Sequence, residues 1–167
     1  TIVAKLLAGG TGSVLTATIS DTDIATLITT VNGAYTGLNF VTGVAVADTN
    51  HVFTINADDT TIDVADLNTL DGRSAGTVTV SSSSTLTGNF NTEAAAFNTA
   101  FASSGISGLA SSAVTADAGS YTTAEVNNIT AQTTGVVTAT ISDTDLTTLA
   151  GVTETGNALT ITVAGDT

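Results

Sequence analysis

Eight consecutive residues, Thr16-Ala-Thr-Ile-Ser-Asp-Thr-Asp23, recur unchanged as Thr138-Ala-Thr-Ile-Ser-Asp-Thr-Asp145. A chain that repeats itself builds its core from stacked copies of one unit, which excludes most single-copy folds. Each copy is followed by a similar segment, Ile24-Ala-Thr-Leu27 and Leu146-Thr-Thr-Leu149. A second, shorter family aligns without gaps: Ala65-Asp-Leu-Asn-Thr-Leu70 matches Ala124-Glu-Val-Asn-Asn-Ile129, and Gly76 then matches Gly135. Between them lies Ala95-Ala-Phe-Asn-Thr-Ala100, followed by Gly105. Asn68, Asn98 and Asn127 give this family a period of about 29 to 30 residues. These boundaries divide the chain into a long repeat unit over 1–61, short repeats over 62–91 and 92–121, and a repeat over 122–167 that continues into the next register.

Spacing within the units predicts the elements. Apolar residues three or four apart mark short helices over Asp21 to Val31, Val64 to Leu70, Thr92 to Ala102, Thr122 to Thr130 and Asp143 to Ala150. Helices this short are marginal in water and must pack on something. Strict alternation marks strands, with Leu15, Ala17 and Ile19 on one face and Thr16 and Thr18 on the other. Leu159, Ile161 and Val163 alternate with Thr160 and Thr162, and Val44/Val46, Phe53/Ile55 and Val78/Val80 extend the pattern. Asn32-Gly33 and Gly156-Asn157 read as turns, and Ser81 to Ser84 as an irregular polar strand or loop. A strand–helix unit of about 30 residues cannot bury its own apolar face, whereas stacked copies form a continuous core. The expected fold is therefore an α/β repeat, solenoid-like, with short helices alternating with Thr/Val-rich strands and largely parallel β-structure. The alternative is a string of small β-rich modules.

Composition agrees with this construction. The 167 residues include 37 Thr, only 4% aromatics and no Pro, Cys, Met or Trp. Such a core must be assembled from small aliphatic side chains, and β-branched residues favour a pleated, half-buried surface. The net charge is −13, with Lys5 and Arg73 as the only Lys and Arg. That balance excludes nucleic-acid binding, which requires cationic side chains to displace phosphate counterions, and it repels anionic membranes. Without cysteine there is no disulfide, zinc thiolate site or thiol nucleophile. No apolar run approaches the roughly 18 residues of a membrane span, and residues 1–8 do not read as a signal peptide. Placing Asp166-Thr167 before Thr1-Ile2 recreates the internal Asp59-Thr60-Thr61-Ile62. The expectation is one register of a longer array, or a subunit continuing head to tail with itself.

The combination of Ser-Asp-Thr-Asp-(Ile/Leu)-x-x-Leu, Ala-Asp-Leu-Asn-Thr-Leu-Asp-Gly and Ser104-Gly-Ile-Ser-Gly-Leu109 resembles the repeats of very large surface proteins of marine cyanobacteria and related bacteria. The resemblance covers most of the chain, least over residues 32 to 57. It implies an exported, repetitive, adhesin-like protein of the cell surface or extracellular space, sometimes linked with motility. Besides the chain itself, a cell-surface glycan is an expected partner. It brings no catalytic residues. The Gly-rich nonapeptide calcium repeats common in such proteins are missing here.

The acidic pairs Asp21/Asp23, Asp58/Asp59, Asp63/Asp66 and Asp143/Asp145 are the ligand candidates. Calcium takes six to eight oxygens, and carboxylates at i and i+2 of a turn supply some of them. For Asp21, Asp23, Asp143 and Asp145 the competing and favoured reading is helix capping, with Ser20 or Ser142 as the N-cap and Asp23 or Asp145 at N3. No other cofactor is expected. His51, the only histidine, reads as a solvated loop residue without triad or metal partners. Gly9-Gly-Thr-Gly12 lacks the lysine and context of a phosphate loop and reads as a repeat turn. Lys5 reads as a snorkelling lysine rather than an isopeptide donor. Thr16/Thr18, Thr77/Thr79, Thr85/Thr87, Thr138/Thr140 and Thr160/Thr162 can form ladders on one flat face, which would suit surface or ice binding; Thr also simply suits exposed strands. The expectation is a non-enzymatic structural segment of an extracellular filament, surface layer or adhesin. A calcium-dependent or surface-binding adhesion module is the alternative.

Overall fold

The computed structural model describes residues 16–19, 22–28, 30–31, 34–35, 52–153 and 155–163. Leu15, Lys5, His51, Asp21, Ser20 and residues 9–12, 32–33 and 44–46 lie outside them.

The first strand, β1 (Thr16–Thr18), leads to helix α1 (Ile24–Ile28) and the short antiparallel pair β2 (Thr30–Val31) and β3 (Ala34–Tyr35). From β4 (Val52–Ala57) the chain settles into a rhythm. It runs β4, β5 (Thr61–Asp63), α2 (Val64–Asp71), then β6 (Val78–Val80), β7 (Thr85–Gly88), α3 (Ala94–Ala102). A third pass follows with β8 (Ile106–Ser107), a 3-10 turn over Leu109–Ser111, β9 (Ala113–Ala116) and α4 (Thr123–Thr130). The chain continues through β10 (Val137–Ile141), α5 (Leu146–Leu149) and β11 (Ala158–Ile161).

Apart from the β2–β3 pair, the strands sort into two sheets, each parallel throughout. One has the order β1-β4-β6-β8 and the other β11-β10-β9-β7-β5. Parallel neighbours need a crossover: between β4 and β9 each one carries a strand of the other sheet and a helix, whereas β9 joins β10 through α4 and β10 joins β11 through α5. Residues 81–84, predicted as an irregular strand or loop, form the corner between β6 and β7, closed by Ser84 N–H donating to Ser81 O at 3.0 Å. Fold class follows directly: an α/β architecture with parallel sheets, short helices alternating with strands, and no closed barrel.

The alternation read from sequence is the burial pattern. Phe53, Ile55 and Ala57 point inward from β4 while Thr54 and Asn56 face out. Across the second sheet the register aligns Ile62 with Leu86, Leu86 with Val114 and Val114 with Val137, an inward row of aliphatic side chains. The helices close the core with equivalent triplets, Val64/Leu67/Leu70 on α2 and Val126/Ile129 with Thr123 on α4. Phe97 on α3 is fully buried and meets Phe90 edge-on, with ring centroids 5.6 Å apart. Burying one such side chain contributes about 1.5–3 kcal/mol, so packing rather than propensity holds these short helices.

Two helices are shorter than their apolar spacing suggests. The predicted Asp21 to Val31 and Asp143 to Ala150 reduce to Ile24–Ile28 and Leu146–Leu149. At the second, Ser142 N–H donates to Tyr121 O at 2.8 Å and Ile141 bridges Tyr121 in parallel. The ladder therefore keeps the backbone extended past β10 and delays the helix.

Candidate functional site

Of the acids read as ligand candidates, Asp23, Asp63, Asp66 and Asp145 lie at helix N-termini. Asp23 Oδ1 accepts from the Thr26 N–H at 3.0 Å, closing α1. Asp145 Oδ2 accepts from the Thr148 N–H at 3.0 Å and from its hydroxyl at 3.1 Å, closing α5. Asp145, with extended φ −79 and ψ 127, is itself the N-cap. The reading of Ser142 as cap with Asp145 at N3 is thus corrected, because the helix begins three residues later. Thr122 and Glu125 form a full capping box on α4, and Asp63 caps α2 through the Ala65 and Asp66 N–H groups.

Two further acids reach helices earlier in the chain. Asp59 Oδ2 accepts from the Ile24 N–H at 3.0 Å, and Asp143 Oδ2 accepts from the Thr123 N–H at 2.6 Å. In each case an acid from one pass of the chain satisfies a helix in the preceding pass. Asp143 and Asp145, two residues apart, therefore serve two different helices instead of converging on one point. Among the described residues no three His, Cys, Asp or Glu side chains are grouped to hold a metal ion.

The electrostatics follow from these contacts. Hydrogen bonds from the Thr148 N–H and hydroxyl hold the Asp145 carboxyl below its ordinary value. Partial burial pushes the Asp66 carboxyl up, reinforced by the negative charges of Asp63 and Glu93.

Side chains that sequence reasoning did not single out join the passes together. The Ser74 hydroxyl accepts from the Phe53 and Gly76 N–H groups at 2.8 and 2.9 Å and donates to Phe53 O at 3.2 Å. Thr133 donates to Ser112 O at 2.7 Å and accepts from the Gly135 N–H at 2.9 Å. Ser103 donates to Asp71 Oδ2 at 2.8 Å and accepts from the Gly105 N–H at 3.0 Å. The signal is a Ser/Thr-x-Gly triplet, present at 74–76, 103–105 and 133–135. At Gly76 a Cβ would collide with Phe53 O, and at Gly135 with Ser112 O, so these corners admit no side chain. The repeating asparagines join the same network. Asn68 Nδ2 donates to Ala96 O at 2.9 Å, Asn127 Nδ2 donates to Gly151 O at 2.7 Å, and Asn98 Oδ1 accepts from Gln132. Arg73 donates to Leu27 O at 3.1 Å.

The Thr pairs do not share one face. Thr16/Thr18 and Thr77/Thr79 belong to the side of the first sheet, and Thr85/Thr87, Thr138/Thr140 and Thr160 to the second. The longest aligned run is Thr87, Thr115 and Thr138. The reason is that β6 and β7, consecutive in the chain, join different sheets, which separates Thr77/Thr79 from Thr85/Thr87. A groove of about 490 Å³ is lined by Thr130, Gln132, Thr133, Thr134, Thr155 and Asn157 among others, without an ionisable side chain. A smaller one of about 210 Å³ carries a single carboxylate, Asp117. Neither supplies the paired acid and base that general acid–base chemistry uses.

Comparison of the chain with protein-family models, with curated proteins and with solved structures finds no match.

Proposed function

We propose that this chain is a non-enzymatic structural segment of an extracellular filament, surface layer or adhesin, in which successive passes stack as the turns of a solenoid. The observation that carries the reading is the direction of the polar side chains. Asp59, Asn68, Ser74, Ser103, Asn127, Thr133 and Asp143 each bond a neighbouring pass. Groups that in an enzyme would converge on a substrate are spent here on joining one turn to the next. Stability in such a stack is the sum of nearest-neighbour interfaces, which suits a protein whose work is spacing, coating or adhesion. Thr-rich outer faces and a net charge of −13 keep an extended surface soluble. No described helix is long and apolar enough to cross a membrane.

Immunogold labelling of intact cells with antibody raised against the chain tests the reading. Decoration of the outer surface or of fibres is expected; label that requires permeabilisation would overturn it.

A further inference from the structure

Thr115 pairs with Thr138 in the parallel register of β9 and β10, and the next bridge between the same two stretches of chain pairs Tyr121 with Ile141. Five residues, 116–120, therefore stand opposite two, 139 and 140. The excess leaves the ladder as a short exposed loop, Asp117 to Ser120. Pairing does not need it, and insertions of this kind re-aim side chains beside functional sites. The loop is pinned on both sides of one residue. The Asp117 N–H donates to Gly88 O at 3.0 Å, and the Tyr121 hydroxyl donates to Asp117 O at 3.1 Å. The Tyr121 ring is itself buried against Phe90, with centroids 5.1 Å apart.

This loop walls the cleft of about 210 Å³ on the outer face of the second sheet, whose floor carries Thr138, Thr140 and Thr160. Thr140 and Thr160 are register partners. All three and Asp117 are exposed, and none of these four side chains hydrogen-bonds another described residue. That sets them apart from Asp59, Asn68, Ser103, Thr133 and Asp143, whose polar atoms join the passes. The cleft thus gathers one carboxylate and three hydroxyls that the fold leaves uncommitted.

The chemistry of that set selects its ligand. An ionised carboxylate only accepts hydrogen bonds, while each threonine hydroxyl both donates and accepts. An ammonium group offers donors only and would leave the three hydroxyl protons without acceptors. A phosphate or other anion meets the Asp117 charge and a net charge of −13. Adjacent ring hydroxyls of a sugar donate to the carboxylate and accept from the threonines at once. The cleft is smaller than the roughly 300–1,000 Å³ of drug-sized sites, which suits a single ring. We propose that Asp117, Thr138, Thr140 and Thr160 bind the end residue of a neutral glycan. The inference rests on the adhesin form of the reading above and names its partner.

Titration of the full, isotope-labelled chain with the methyl glycosides of glucose, galactose and mannose tests it, followed by amide NMR shifts. Shifts confined to residues 116–121, 138–141 and 158–161 are expected for at least one glycoside, at concentrations on the order of 10 mM. Asp117→Ala and Thr140→Val are each expected to weaken that binding about tenfold, with an unchanged melting temperature. No shift with any of the glycosides overturns the proposal, as does binding undiminished in both variants. Shifts with methylammonium or inorganic phosphate but not with the glycosides also overturn it, and assign the cleft to a charged ligand. Shifts with the free sugars alone mark a soluble sugar and overturn it as well. Glycoside binding by a chain that labels only inside cells retains the cleft and removes the extracellular role. Outer labelling without glycoside binding does the reverse.

Discussion

The Asp143 carboxylate closes the N-terminus of a helix that is not its own, accepting the Thr123 N–H at 2.6 Å from one pass away. Asp143→Ala leaves that N–H without its acceptor, and loss of a cap costs about 1 kcal/mol. Urea unfolding is expected to show that loss with an unchanged m-value. Since the carboxylates at 143 and 145 are engaged by separate helices, millimolar calcium is expected to leave the melting temperature where it stands in a chelator. A calcium-dependent rise that Asp143→Ala removes would restore the ligand reading of these acids.

Asp145 and Asp66 are expected to respond to acid with opposite sign. The Asp145 value is depressed in the fold, so its stabilisation is present above the ordinary value of 3.8 and lost as pH falls through the lowered one. Asp145→Ala should therefore be less stable than wild type at neutral pH and level with it in strong acid. The Asp66 value is raised, so its ionised form opposes folding above the raised value and ceases to do so below 3.8. Asp66→Asn should melt higher than wild type at neutral pH, with the gain gone in strong acid. Thermal melts of both variants across pH check the pair.

Two nearby glycines are expected to differ in sign when changed to alanine. At Gly76 the new Cβ meets the Phe53 backbone, and overpacking of this kind costs about 1–3 kcal/mol. Gly72 sits at φ −64 with its nearest neighbour at ordinary contact distance, 3.4 Å from Asn68 O. There alanine restricts the unfolded chain and should stabilise by about 0.4–1 kcal/mol. Equilibrium unfolding of the two variants decides it; equal effects would show that corner geometry does not govern stability.

Asn127 ties α4 to the final described pass, donating to Gly151 O at 2.7 Å and accepting from the Thr153 N–H at 3.3 Å. Asn127→Ala is expected to loosen residues 146–153 while leaving the core strands unchanged. Hydrogen exchange should show protection falling in that segment alone. A uniform loss across β7, β9 and β10 would mean that the passes unfold together.

Much of this was readable beforehand because burial in strands and helices has its own period. Phe53/Ile55 and Val78/Val80 announce inward positions by alternation, and Leu67/Leu70 and Val126/Ile129 by helical spacing. Alternation says which side of a strand is buried, not which sheet receives it. Val78–Val80 and Thr85–Gly88 look alike in sequence yet join different sheets. β8, at two residues, is too short to carry a period at all. Capping of α5 was legible in the Asp residues, but its frame was displaced because the Tyr121–Ser142 bond depends on residues far apart in the chain. The partner of Asp143 was hidden for the same reason: local pattern reports neighbours within a turn, and Thr123 is 20 residues away.

The corners at Ser74–Gly76 and Thr133–Gly135 hold neighbouring passes at backbone contact, while the arcs between corners differ in length, with α3 of nine residues and α5 of four. Register is therefore set afresh at every corner, and an insertion in one arc does not propagate to the next.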